Sequence, residues 1–107
     1  MLRKSNRFHG PKAVGALVRR GKTQRSKNLS VRKKSATKWR VAVVVKKKLY
    51  KSAVGRNSLR RRIFAITREC IESGEFEAQN VVFFVNSTNT HELSYEDLKS
   101  EVQSLLA

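Results

Sequence analysis

The sequence predicts an α+β fold, and three observations carry that reading. Two runs between Asn28 and Lys46 alternate apolar and polar residues; Leu59, Ile63, Ile66 and Cys70 recur at helical spacing; and Val81 to Val85 is unbroken apolar sequence. A chain of 107 residues is one domain by length, residues 1–107, with room for a single modest core.

Taken in order, residues 1–10 form a basic arm. Pro11 then suits the first turn of a helix, because its missing N–H is not needed there; Val14, Leu17 and Val18 share a face, and Gly21 ends it. Lys22 to Arg25 has room for a further short strand. Asn28 to Lys34 sets Leu29 and Val31 against Ser30 and Arg32, as a half-buried strand does, and from Trp39 the residues Trp39, Val41, Val43 and Val45 make an inward row. With only polar Ser35 to Lys38 between them, the two runs predict an antiparallel hairpin. The longest helix runs from Ser52 to about Ser73 and ends before Gly74. The Val81–Val85 run reads as a strand buried on both faces. Finally Ser94 can cap a helix with Asp97 as its capping-box acid, Leu93 and Leu98 forming a hydrophobic staple and Tyr95, Leu98, Val102 and Leu105 facing inward.

The charge is heavily one-sided. Lys and Arg number 24 against 8 Asp and Glu, a net charge of +16, far beyond what solubility requires. Residues 1–68 hold 23 of the 24 cations and no acid, whereas the remainder carries Lys99 and all eight acids. A merely solvated surface mixes the signs, so this polarity predicts a polyanion-binding face and a separate back face. The lone Cys70 excludes an intrachain disulfide and fits a reducing compartment. The N-terminus lacks the apolar core of a signal peptide, and no stretch is long enough to span a bilayer. The expectation is a cytoplasmic protein with no membrane partner.

On a helical wheel Leu59, Ile63, Ile66 and Cys70 fall within roughly 60°. Arg56, Asn57, Arg60, Arg61 and Arg68 spread over about 140° beside that sector, and Arg62 flanks its other side. The planar forks of these arginines match phosphate oxygens. Lys46, Lys47, Lys48 and Lys51 precede the helix, so strand end and helix start deliver their charge to one place. Phe64, near the middle of the basic arc, either stacks on an unpaired base or is covered by a neighbouring element.

These residues carry a resemblance. Arg40-Val-Ala-Val-Val-Val-Lys-Lys-Lys followed by Ala53-Val-Gly-Arg-Asn-Ser-Leu-Arg-Arg-Arg-Ile resembles the signature of the bacterial ribonuclease P protein family, in which a strand ending in Lys-Lys runs into a helix with an Arg-Asn-Arg motif. Asn6-Arg-Phe-His-Gly and Gly21 agree as well. Ser58 stands where the motif has its second arginine, Phe64 where another arginine is common, and Val14 and Val18 where the family has aromatic residues beside its leader-binding cleft.

The resemblance implies an α-β sandwich of order αβββαβα, with a small, mostly antiparallel sheet and a left-handed βαβ crossover. It implies the protein subunit of a ribonucleoprotein endoribonuclease in tRNA 5′ maturation, binding ribonuclease P RNA and the leader of precursor tRNA; no protein partner is implied. Lys46, Lys47, Lys48, Lys51, Arg56, Asn57, Arg60, Arg61, Arg62 and Arg68 are then the RNA-binding candidates, and Val14, Val18, Ser30, Arg32 and Phe64 those of the leader cleft. Catalysis is expected from the RNA, through magnesium ions held mainly by nucleotides; the side-chain oxygen of Asn57 is a conceivable contributor.

The residues agree with a protein that has no catalytic or metal-binding residues of its own. His9 and His91 have no partners at metal-ligand spacing, and no carboxylate precedes Glu69. His91 reads as a loop residue, Cys70 as core, and Glu92, Glu96 and Asp97 as favourable charges near a helix N-terminus. An autonomous nuclease would need acids or a histidine pair. A nucleoid protein would be expected to show a helix-turn-helix pair. A structural, ribosomal-like RNA-binding protein shares the charge and size, and is separated by the Lys-Lys, Ala-Val and Arg-Asn pairs.

Overall fold

The structure, a computed structural model, describes residues 21–107. The expected basic arm and first helix, with Val14 and Val18, lie outside the described residues.

The described chain runs β1 (Lys22–Arg25), β2 (Leu29–Ser35), β3 (Arg40–Val44), α1 (Ala53–Ser73), β4 (Gln79–Val85), a 3-10 turn (Thr90–Glu92) and α2 (Tyr95–Leu106). Four strands form one sheet in the order β1-β2-β4-β3. β4 is antiparallel to β2, Val31 facing Phe83, and parallel to β3, Val43 facing Phe83. Two of the three pairings are thus antiparallel, and β3-α1-β4 is the parallel crossover unit.

The expected hairpin between the Leu29 and Trp39 runs does not form, because β4 lies between them. The cause is composition. Val82 and Phe83 are both fully buried although adjacent strand residues point to opposite faces, so β4 needs a neighbour on each side and cover on each face. β2 has polar alternate positions, and those of β3, Arg40, Ala42 and Val44, are exposed or only half-buried, so both strands tolerate places flanking β4. The short Lys22–Arg25 strand is present and exposed throughout, as suits a sheet edge.

The apolar rows match the sequence pattern. Leu29, Val31, Val41, Val43, Val45, Val81, Phe83 and Val85 are buried on one sheet face with Trp39. Against them α1 sets Leu59, Ile63, Ile66 and Cys70, and α2 sets Leu98, Val102, Leu105 and Leu106. The opposite face carries Thr23 and Arg25 of β1, Ser30, Arg32 and Lys34 of β2, Asn80, Val82 and Phe84 of β4, and Arg40, Ala42 and Val44 of β3.

Both helix starts follow the sequence. Ser52 caps α1, its Oγ accepting the Gly55 N–H at 3.2 Å, and Ser94 caps α2 by accepting that of Asp97 at 3.1 Å. α1 stops at Gly74, whose φ of 72° lies in the left-handed region where a side chain is strained. Tyr95 departs from expectation: it is 40% exposed rather than inward. Its hydroxyl bonds the Glu69 carboxylate of α1, so the ring bridges the helix surfaces and the phenol keeps its polar partner. That bond, with burial and the nearby charge, pushes the Tyr95 pKa up to about 12, and it holds Glu69 below the usual carboxylate range.

Candidate nucleic-acid interface

Just past the end of β3, Val45 is buried, and the chain turns at once: the N–H groups of Leu49 and Tyr50 both donate to the Lys46 carbonyl at 3.1 Å. This turn leaves Lys46, Lys47 and Lys48 exposed, followed by exposed Lys51. The four ammonium groups thus stand immediately before the N-terminus of α1, whose first turn contains no acid. Unpaired helix N–H groups and cations reinforce one another there, making a field that attracts anions.

The arginines divide by what they touch. Arg61 is exposed and makes no ion pair or hydrogen bond among the described residues. Half-buried Arg60 donates through Nη1 to the exposed Asn57 Oδ1 at 2.9 Å, which orders the pair. Arg68, farther along, pairs with Glu72 at 2.9 Å in an exposed i, i+4 bridge.

Arg56 and Arg62 turn back onto the protein. Arg56 Nη1 donates to the carbonyls of Tyr50 at 2.8 Å and Lys51 at 3.0 Å, fixing the linker between β3 and α1. Arg62 reaches across to the segment before α2, donating to the carbonyls of His91 at 3.1 Å and Leu93 at 2.7 Å. Ten RNA-binding candidates therefore resolve into an exposed set (Lys46, Lys47, Lys48, Lys51, Arg61), an ordered pair (Asn57, Arg60), an internally bridged residue (Arg68) and two clamps that hold the surface in shape.

Among the leader-cleft candidates, Ser30 and Arg32 share the sheet face away from the helices. Ser30 is 8% exposed and its Oγ accepts the Asn86 amide at 2.9 Å. Arg32 is half-buried, in register with Thr23 and Val82. Phe64 is not in that register: it is half-buried on α1 and packs against the core on the other side of the sheet.

Sequence reasoning passed over two features. Arg25, Lys34 and Arg40 are exposed on the same face as Ser30 and Arg32, a grouping already present in the alternation. Tyr50 is the other: its hydroxyl donates to the Ser87 carbonyl at 3.0 Å and accepts the His91 N–H at 3.3 Å. No local pattern marks it, since its partners lie 37 and 41 residues away.

No three His, Cys, Asp or Glu side chains converge as a metal site among the described residues. Asn57 Oδ1, the oxygen singled out from the sequence, accepts a bond from Arg60 Nη1. No helix among the described residues is long and apolar enough to cross a membrane.

The family model for ribonuclease P matches residues 2–107. Solved structures agree in fold. An RNase P protein from Thermotoga maritima is 20% identical, with 94% of each chain covered and a TM-score of 0.80. The Staphylococcus aureus RNase P protein is 17% identical over 96% of this chain and 94% of the other, with a TM-score of 0.73. A mutant of the S. aureus protein described as defective in mRNA degradation activity is 16% identical over 96% and 86%, with a TM-score of 0.81. Among curated proteins, none matches the sequence.

Proposed function

The chain belongs to the ribonuclease P protein family, and we propose that within that ribonucleoprotein endonuclease it binds the catalytic RNA and the 5′ leader of precursor tRNA. The observation that carries the reading is the cationic surface at the start of α1, where Lys46, Lys47, Lys48, Lys51 and Arg61 stand exposed and no acid precedes Glu69. Such a surface holds phosphates through charge and counterion release, with little dependence on base sequence.

The second sheet face supports a division of labour. Arg25, Arg32, Lys34 and Arg40 share that face with the half-buried ring of Phe84, cations beside an aromatic side chain, the combination that accepts a single strand. On this reading the helix edge takes the catalytic RNA and the sheet takes the leader. On this reading hydrolysis belongs to the RNA and its magnesium ions. A cytoplasmic address, where precursor tRNA is made, belongs to the same proposal.

Sequencing the RNA that copurifies with the chain from its own cells tests the partner. Ribonuclease P RNA should dominate; ribosomal RNA fragments alone would replace this reading with that of a ribosomal-type protein.

A further inference from the structure

Beside the cationic surface lies a cleft of about 440 Å3, lined by Tyr50, Gly55, Ser58, Leu59, Arg62 and His91. That volume falls in the about 300–1,000 Å3 range of small-ligand clefts. Gly55, Ser58, Leu59 and Arg62 recur at helical spacing, so one flank of α1 forms a wall, and Tyr50 and His91 close the opposite side. The site is held in shape: Arg62 fastens the His91 and Leu93 carbonyls, while the Tyr50 hydroxyl ties Ser87 to the His91 N–H.

The rings of Tyr50 and His91 meet edge to face, centroids 5.6 Å apart and planes at 87°. Whichever ring presents its edge, at least one face of the imidazole is left uncovered by Tyr50, and the His91 side chain is 56% exposed. Buried Leu59 adds an aliphatic surface, and the small Ser58 occupies little of the space. Arg61 follows Ser58 by three residues, one turn along the helix, and Lys51 precedes it. Glu92 places a carboxylate 3.9 Å from His91 Nε2.

We propose that this cleft receives one unpaired nucleobase of the bound RNA, stacked on His91 and enclosed by Tyr50 and Leu59, with the flanking phosphates held by Lys51 and Arg61. The inference rests on the RNA-binding function proposed above and adds to it a base-holding site at the helix edge, away from the sheet face. Stacking tolerates any base, so the site selects for an unstacked nucleotide more than for sequence.

The test uses two probes, an octaadenylate RNA and an eight-unit abasic ribose-phosphate strand, with the full chain and two variants. His91→Ala removes the platform but leaves the backbone groups that Arg62 and Tyr50 hold; Ser58→Trp fills the cleft from an exposed position, and thermal melting confirms that each variant folds. Both should bind octaadenylate about 5- to 150-fold more weakly than the parent chain and bind the abasic strand equally well. If both variants keep the parent affinity for octaadenylate, or if the parent binds the two strands alike, the base site is overturned and the cationic surface stands. Failure of the parent chain to bind either strand at low salt overturns the RNA-binding reading together with it.

Discussion

Both oxygens of Glu101 are held by Asn28: Oε1 accepts its backbone N–H at 2.8 Å and Oε2 its side-chain amide at 2.9 Å. Ser26 Oγ adds a third bond to Oε1 at 2.5 Å. An acid of α2 thus closes the turn between β1 and β2, some 73 residues away in sequence. The eight acids of the C-terminal part are not merely a back face; this one fastens it to the basic part.

Burial is the largest single influence on the Glu101 carboxyl and raises its pKa. The bonds from Asn28, Ser26 and the Asn28 and Leu29 backbone outweigh it and hold the group below the usual range. The stability it contributes is therefore full above the unfolded carboxyl pKa and is lost as pH falls through that value toward the folded one. Glu101→Gln should cost about 1–2 kcal/mol at neutral pH, a charged hydrogen-bond value reduced for partial exposure, since its amide would face the Asn28 donor. Urea denaturation at pH 7 and at pH 3 should show the difference between the two proteins shrinking at the lower pH.

The two kinds of arginine on α1 should separate in experiment. Arg61→Ala should leave stability within about 0.5 kcal/mol of the parent and weaken RNA binding, lowering the log-log salt slope by about 0.7 to 0.9 because one phosphate is no longer neutralised. Arg62→Ala should cost about 1–3 kcal/mol of stability, because it strips charged hydrogen bonds from the His91 and Leu93 carbonyls. Denaturant titration and binding isotherms over a salt series measure both.

Ile63 and Ile66 are fully buried in the apolar sector of α1. Replacing either by Ala should destabilise the chain by about 2–5 kcal/mol through a core cavity. Conditions that keep the variant folded should leave its salt slope for RNA unchanged, which a slope measurement at low temperature checks.

Gly74 ends α1 with φ at 72° and no neighbouring atom within reach of an added Cβ. The cost of Gly74→Ala is then backbone strain alone, about 1–2 kcal/mol. A crowded site would cost more, so differential scanning calorimetry on this variant distinguishes the two.

Most of the fold was legible because most of its rows are local. Leu59, Ile63, Ile66 and Cys70 define the buried sector of α1 by spacing alone, and Ser52, Gly74 and Ser94 mark helix ends by their own chemistry. Strand neighbours were less legible. Short polar Ser35 to Lys38 is ordinary hairpin spacing, and only the two-sided burial of Val82 and Phe83 explains why β4 displaces β3 from β2. At the interface, residue type located the charge but not its use. Nothing in the order of residues tells Arg61, which has no partner among the described residues, from Arg62, which is spent on carbonyls 29 and 31 residues away. Tyr95 kept its helical phase and still left the core, because a carboxylate on the facing helix was available to its hydroxyl.

Cleavage of precursor tRNA by the separated and recombined components tests the central claim most directly. Rigorously RNA-free protein with magnesium should be inactive; adding the cognate catalytic RNA should give 5′ maturation at a low magnesium concentration where that RNA alone is slow. Robust 5′ cleavage by the RNA-free protein, or no gain in rate when protein joins the RNA, would contradict it.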